Sequence, residues 1–366
     1  MNLQQTNWLF ILPTDKLQGS EQIIMNQAKF VKANKGSANI IILTKKTCDS
    51  WSEFEENSKV TYFPFSNYFI SIFFLIPYFI FSGTKNYTHT FTSQTIINGV
   101  LGFAKRIKFF KKTKIIVRES NSIFKLFSGF KLKIYRFFYH LGYIKSSLVI
   151  CQTNYMKQGL LEGLNGFANN LNVHVLSNPI NFEDIALKSK NNNTEVISGK
   201  YLVAAGRLMP VKGFDILIKS FKSILKEQPD LKLIILGEGK ERATLENLIV
   251  ELELQKKITL PGFVDNVYPY FNNATACILS SRLEGFPNVL LQMMSQNTNI
   301  VATLSAGDID QIEGIFTCEP ENETELSNCI LKCLNEDNKN KRQIFDNFLS
   351  NRTIETFNLK MLDLIK

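Results

Sequence analysis

At 366 residues the chain is long enough for two domains, each with a core of its own. Hydrophobic residues make up 45% and charged residues 20%, a balance that excludes a disordered chain. The formal charge is +9, and the excess is local: Lys105, Arg106, Lys108, Lys111, Lys112, Lys114, Arg118, Lys125, Lys131, Lys133, Arg136 and Lys145 face one acid, Glu119. Such a block attracts anions such as nucleic acid, phospholipid or a phosphorylated lipid, unless it is only the solvated face of a basic protein.

The first half alternates between strand and helix patterns. Trp8 to Leu12 predicts a strand, and Glu21 to Ala33 a helix with Ile23, Ile24, Ala28 and Val31 on its apolar face. Asn39 to Leu43 is the next strand. Tyr62 to Phe81 is dense in aromatics: Phe63, Phe65, Tyr68, Phe69, Phe73, Phe74, Tyr78, Phe79 and Phe81. Its length approaches the ~20 residues of a spanning helix. Pro64, Pro77, Ser66 and Asn67 interrupt it, so a buried or interfacial helix is expected, with most of these side chains in the core. Thr88 to Thr92 is a strand, followed by a helix over Ile97 to Ile107. Lys114 to Arg118, Leu148 to Cys151 and Val173 to Leu176 complete the strands of this half.

The polar stretch Lys188 to Lys200, with Asn191-Asn192-Asn193, reads as a linker or exposed turn. Beyond it come strands at Tyr201–Ala205, Leu231–Leu236, Ile258–Leu260, Ala276–Leu279 and Ile300–Thr303, separated by helical patterns such as Phe214–Leu225. That alternation is the signature of a parallel βαβ sheet. Lys341 to Lys366 reads as a tail helix.

The six cysteines form no C-x-x-C pair, and with three histidines no metal constellation emerges. The N-terminal residues lack a charged region followed by a long apolar run, so a reduced, cytoplasmic chain is expected.

The chemistry concentrates at loops that follow predicted strands. Ser280-Ser281-Arg282-Leu283-Glu284-Gly285-Phe286-Pro287-Asn288 leaves an apolar strand and enters a helix, with Pro287 suited to the first helical position. Free N–H groups there suit phosphate, and Glu284 beside them accepts hydroxyl hydrogen bonds. Phosphate and hydroxyls together point to a sugar nucleotide. Gly206-Arg207-Leu208-Met209-Pro210-Val211-Lys212-Gly213 also joins a strand to a helix. Arg207 and Lys212 place two cations on that loop.

Glu284, seven intervening residues and Gln292 resemble the E-x7-E segment of the family-4 retaining glycosyltransferases, which have the GT-B fold. That family has Glu at both ends, the first binding donor-sugar hydroxyls and the second the nucleotide ribose. Gln292 can still accept one hydrogen bond, without the strength a carboxylate would give. Gly206 to Gly213 is similar to the family's G-R-x-x-x-x-K-G segment, in which Arg and Lys hold the donor diphosphate. Gly237-Glu238-Gly239 fits its strand-ending turn. Pro261-Gly262-Phe263-Val264 resembles the base-holding loop, which implicates Phe263 and Val264. Gly285, Phe286, Pro287 and Asn288 belong to the donor segment, and Ala306-Gly307-Asp308-Ile309-Asp310 lies near the donor in the family, or is a helix cap. Gly19-Ser20-Glu21 resembles the family's G-G-x-E turn, facing donor phosphate and acceptor. Glu119, at the end of a strand, is a candidate for contact with sugar or acceptor, or else a helix cap or an ion pair with Arg118.

The resemblance implies an α/β chain of GT-B architecture: two Rossmann-like parallel-sheet domains facing a cleft, with a C-terminal helix returning to the first. Residues 1–185 would bind acceptor, 200–345 the nucleotide sugar, and 346–366 would pack back on the N-domain. The implied activity is that of a metal-independent retaining glycosyltransferase, without a cofactor. It would move a hexose-type sugar from a nucleotide-diphosphate donor to a glycan acceptor, lipid-diphosphate-linked, in cell-surface polysaccharide or lipopolysaccharide synthesis. Glu284, Arg207, Lys212 and Glu119 are its candidate catalytic residues. Partners would be the nucleotide sugar, the acceptor and an anionic membrane touched peripherally at its inner face, with no nucleic acid. Alternatives are a catalytically impaired relative that binds sugar nucleotides, or a sugar-nucleotide epimerase. The latter needs acids or bases around C2, and no clear set is present.

Overall fold

The computed structural model describes residues 3–82, 87–190, 199–336 and 340–365. Most of the expected linker, residues 191–198, lies outside the described residues. The chain divides into two compact units, Met1–Pro179 with Ile354–Lys366, and Ile180–Thr353. The division falls ahead of the polar stretch, at Pro179, where Ser177-Asn178-Pro179 ends the regular pattern.

Among the described residues the first unit is built on seven strands: β1 (Asn7–Leu12), β2 (Ser37–Ile42), β3 (Lys59–Tyr62), β4 (His89–Thr92), β5 (Lys114–Arg118), β6 (Leu148–Cys151) and β7 (Val173–Val175). They pair in the order β3-β2-β1-β4-β5-β6-β7, every neighbour parallel. Phe10 in β1 sits opposite Ile40 on one side and Phe91 on the other, so apolar side chains meet across the sheet at this level, while β4 itself, His89-Thr90-Phe91-Thr92, buries two threonines. The edge strand β3 was not expected from the sequence. Its residues Lys59-Val60-Thr61-Tyr62 are half-buried or exposed and carry no apolar run.

Two apolar layers cover this sheet. One gathers Leu9, Ile11, Phe79, Leu101, Val117 and Tyr139. The other gathers Trp8, Phe10, Ile24, Ile116, Phe357 and Met361. The last two residues come from the helix Ile354–Asp363, so the end of the chain completes the first unit's second layer. The tail is two helices and not one. Lys341–Ser350 belongs to the second unit, and the break falls where the Ile180 N–H donates to the Arg352 carbonyl at 2.7 Å.

The aromatic segment forms the helix Tyr68–Ser82. Phe63 and Phe79 are buried as expected, but Phe69, Phe73, Phe74 and Phe81 are exposed. Only one stripe of an α-helix faces the sheet, and here Ser71, Ile72, Leu75 and Phe79 fill it. No helix among the described residues is long and apolar enough to cross a membrane.

Beside it, the helices Thr95–Arg106 and Gly129–Gly142 approach at backbone distance. A Cβ on Gly102 would collide with the Gly142 carbonyl, one on Gly142 with the Gly99 carbonyl, and one on Gly99 with the Phe138 carbonyl. That approach carries Tyr139 and Tyr143 under the end of β5, where both phenols donate to the Glu119 carboxylate. Glu119 is 2% exposed. Its carboxylate is therefore braced inside the first unit by two tyrosines and caps no helix, since Ser122 is the capping residue of the next one, Ile123–Leu126. Burial raises its pKa, and the two tyrosine hydrogen bonds only partly offset this. Neighbouring Arg118 is equally enclosed, donating to Ser93 at 2.9 Å and to Asn178, and burial lowers its pKa to about 10.

The second unit has six strands among the described residues: β8 (Tyr201–Ala205), β9 (Lys232–Leu236), β10 (Ile258–Gly262), β11 (Ala276–Leu279), β12 (Ile300–Thr303) and β13 (Phe316–Cys318). Their order is β10-β9-β8-β11-β12-β13, again all parallel. Val203, Cys277 and Ala302 face one apolar layer, and Leu202, Ala204, Ile278 and Val301 face the other.

Gly102→Ala should destabilise the first unit by about 1–3 kcal/mol in urea unfolding, because neither helix can retreat without uncovering core. Gly159→Ala, at a helical glycine with open space around it, should be neutral or stabilise by about 0.5–1 kcal/mol. Glu119 gives a pH signature. Its pKa is higher folded than unfolded, so the folded state holds this proton more tightly. The associated stability is complete below the ordinary glutamate value of about 4.3 and is lost as pH rises through the higher folded value. Glu119→Gln should remove that component, which is read by comparing the unfolding free energies of the two proteins between acid and neutral pH.

Candidate functional site

The second unit's sheet reverses its winding between β8 and β11, and the loops leaving those two strands lie side by side. In open α/β sheets ligands bind outside the carboxyl ends of the strands at this switch point. The approach of the two loops depends on Gly213, which has φ +62° and whose missing Cβ would strike the Ser280 carbonyl. The Arg282 N–H donates to the Val211 carbonyl at 2.8 Å, and the Ser280 hydroxyl to the Lys212 carbonyl at 3.0 Å.

Across this junction the Lys212 ammonium pairs with the Glu284 carboxylate at 2.5 Å, with the two side chains 18% and 16% exposed. The Ser281 hydroxyl donates to the same Glu284 oxygen at 2.8 Å. The Glu284 N–H donates to the Ser305 carbonyl at 2.7 Å, tying the loop after β11 to the one after β12. A carboxylate and a cation expected to serve different parts of one ligand thus hold each other. Arg207, the second expected cation, is exposed on the loop after β8. Gly206 sits at the root of that loop, its N–H donating to the Leu236 carbonyl at 2.9 Å.

Gly237 and Gly239 let the loop after β9 close on the same place, because side chains there would meet the Gly206 and Leu208 carbonyls. The Gly237 N–H donates to the Gly262 carbonyl at 2.8 Å, which brings the loop after β10 alongside. Phe263 stands on that loop 69% exposed, while Val264 packs against the core. The helix after Glu284 runs Asn288–Gln296. Pro287 is the capping residue before it and not its first helical residue, and Gly285, Phe286 and Pro287 are buried. Gln292 is half-buried and its amide points at the Tyr268 hydroxyl, 3.4 Å away. Burial raises the Tyr268 phenol to about 12, so it stays neutral. No helix starts after Asp308 and Asp310. Residues 306–314 form turns, with Asp308 at φ +67°, so the acidic pair is no helix cap.

The residues that sequence reasoning passed over are those that lock the loops. Arg282 donates two bonds to Asp215, at 2.8 and 2.7 Å, and a third to Glu321 at 2.6 Å. Burial opposes ionisation of Asp215, but the Arg282 hydrogen bonds and charge outweigh it and hold its pKa below the ordinary range. The signal was an arginine inside the motif and an aspartate in the first turn of the helix Phe214–Ile224. Nothing local to either residue pairs them.

In the first unit Gly19 and Ser20 are the first residues of the helix Gly19–Ala33, not a turn before it, and the Ser20 hydroxyl donates to Glu21 at 2.9 Å. Glu119 is enclosed as described and lines a small recess with Asn121, Phe124 and Tyr155. Among the described residues no group of three or more His, Cys, Asp or Glu is placed to hold a metal ion.

Residues 187–347 match the family model described as glycosyl transferases group 1. Over 199 residues the chain is 30% identical to the N-acetylgalactosamine-N,N'-diacetylbacillosaminyl-diphospho-undecaprenol 4-alpha-N-acetylgalactosaminyltransferase of Campylobacter jejuni, covering 53% of this chain and 52% of that one. It is 24% identical over 168 residues to the lipopolysaccharide core biosynthesis glycosyltransferase LpsE of Rhizobium meliloti, covering 46% and 47%. The chain therefore spans about half the length of these relatives. Among solved structures, HepE of Anabaena in complex with UDP and glucose superposes with a TM-score of 0.78 at 19% identity, covering 98% of both chains. Sucrose-phosphate synthase of Thermosynechococcus elongatus gives 0.77 at 16% identity, with the same coverage. The chain has the GT-B fold of two Rossmann-like parallel-sheet units, and its second unit is similar to the group 1 glycosyl transferases.

Proposed function

We propose that the chain is a retaining glycosyltransferase of the family-4 kind, moving a hexose-type sugar from a nucleotide-diphosphate donor to a lipid-diphosphate-linked glycan in cell-surface polysaccharide synthesis. The observation that carries this reading is the Lys212–Glu284 pair at the switch point, with exposed Arg207 on the same loop as Lys212. The Campylobacter relative, whose name specifies a diphospho-undecaprenol acceptor, supports the acceptor class, and the HepE complex with UDP and glucose supports the donor class.

In this reading the donor diphosphate takes over Lys212, and the sugar hydroxyls take over Glu284. Each partner exchanges one charge-assisted bond for another, so the pair keeps both side chains oriented until the donor arrives. The bond from the anomeric carbon to the diphosphate oxygen breaks, and its electron pair leaves with the nucleoside diphosphate. Arg207 and Lys212 neutralise the charge that develops. The acceptor hydroxyl attacks from the same face, and its proton passes to the departing phosphate oxygen, which gives retention. Phe263 offers an exposed ring for the base to stack on, and Gln292 accepts from the ribose. Gly285, Phe286 and Asn288 shape the segment next to the sugar. The reading calls for no metal, so transfer should survive chelation by EDTA.

A second reading, a sugar-nucleotide binder without transfer, draws on Gln292, whose amide already faces the Tyr268 hydroxyl. Activity that appears only in Gln292→Glu would favour it.

A thermal-shift screen against UDP-, GDP- and related sugars should identify one donor series. A donor at a hundredfold excess over its Kd stabilises the protein by about 2.7 kcal/mol. Glu284→Ala should lower sugar transfer by at least about a hundredfold. It should leave binding of the bare nucleoside diphosphate intact or tighter, because Lys212 is released, whereas Lys212→Ala should weaken both. Full transfer by Glu284→Ala would overturn the assignment.

A further inference from the structure

The first unit carries a surface that the donor chemistry does not use. The helix Tyr68–Ser82 turns Ser71, Ile72, Leu75 and Phe79 inward and leaves Phe69, Phe73, Phe74 and Phe81 exposed at 48%, 80%, 49% and 89%. The helix Gly129–Gly142 does the same with Phe130 and Phe137, exposed at 77% and 59%. Both helices pack on one apolar layer of the sheet and both contact the helix Thr95–Arg106. The two aromatic rows therefore belong to one side of the first unit. An exposed apolar area of this kind marks an interaction site.

Charge identifies the occupant. Lys131, Lys133 and Arg136 are exposed on the same helix as Phe130 and Phe137, and Lys145 follows just beyond it. The Lys131 ammonium lies 4.0 Å over the Phe127 ring, an aromatic face of the same surface. Between Glu56 and Glu162 the sequence has one acid, Glu119, and its carboxylate is enclosed. An acidic protein partner would satisfy the lysines but not six exposed phenylalanines. A neutral apolar partner would leave the cations facing hydrocarbon. Anionic lipid offers both an acyl boundary for the rings and phosphate for the cations.

We propose that the outer faces of the helices Tyr68–Ser82 and Gly129–Gly142 dock the first unit onto an anionic lipid bilayer, the phenylalanines entering the headgroup boundary and the lysines and arginine meeting lipid phosphate. The helices lie on the bilayer and do not cross it. This inference is independent of the donor reading, since it holds for the first unit whatever the second unit binds.

The test is sedimentation of the full chain with vesicles of phosphatidylethanolamine and phosphatidylglycerol, with phosphatidylcholine vesicles as control. The protein should sediment with the anionic vesicles only and be released in part by raising the salt. The triple variant Lys131→Gln, Lys133→Gln, Arg136→Gln should bind about a hundredfold more weakly, at ~1 kcal/mol for each cation near the surface. The variant Phe73→Ser, Phe81→Ser, Phe130→Ser, Phe137→Ser should lose binding at high salt, where only the apolar contribution survives. Both variants should keep a cooperative unfolding transition close to that of the wild type, because the altered side chains are exposed and surface changes of this kind cost little. Failure of the wild type to sediment with anionic vesicles overturns the proposal. So does wild-type binding by either variant, or binding to DNA in place of vesicles. A self-association that the phenylalanine variant abolishes, with no vesicle binding, overturns it in favour of a second copy as the occupant.

Discussion

The second unit's chemistry depends on the contact between the loop after β8 and the loop after β11. These loops are separated by some seventy residues of sequence and become neighbours only because β8 and β11 pair in the sheet. Gly213 removes the one atom that would hold them apart. Backbone hydrogen bonds and the Arg282–Asp215–Glu321 cluster then fix the spacing, and the Lys212–Glu284 pair is what that spacing produces. Two half-buried charges would be costly if either stood alone. Paired, they hold each other oriented in a place where a phosphate and a hydroxyl could each replace one partner.

Among the described residues, β8 to β12 of the second unit were legible because each is a short apolar run bounded by glycine or a polar loop, with a 3.6-residue apolar period in helices such as Phe214–Ile224; the edge strand β13, only Phe316-Thr317-Cys318, was not expected. The loop chemistry was legible because glycine, arginine, lysine and glutamate stand at fixed places after strands. Glu119 shows where such reading stops. Its position after β5 marks it as functional, but its surroundings are set by Tyr139 and Tyr143, which reach it only because Gly99, Gly102 and Gly142 let two helices touch. That is information about packing, and no window around Glu119 contains it. The aromatic segment failed for a related reason. Composition says that phenylalanine is usually buried, yet a single helix on a sheet buries one stripe, and the rest of its side chains face outward whatever they are.

The two sheets use one design with different contents. In both, the order reverses beside the first strand of the unit, between β1 and β4 and between β8 and β11. At the second reversal the side chains are half-open and charged. At the first, Arg118 reaches Ser93 on the loop after β4 and is fully enclosed with Asn178 and Gln152. The same topology thus yields a solvent-facing ion pair in one unit and a buried polar network in the other. Buried networks of this kind hold a geometry in place, since every member lost leaves another unsatisfied.

The second unit interrupts the first, because the chain enters it at Ile180 and leaves it at Thr353, two residues that pair with each other. The helix Ile354–Asp363 then returns Phe357 and Met361 to the layer beneath β1. During synthesis the ribosome must finish the whole second unit before it delivers this helix. The layer that holds Trp8 and Phe10 is therefore completed by residues made after the whole second unit, and a chain cut at Thr353 would leave that face of the earlier-made sheet open to water.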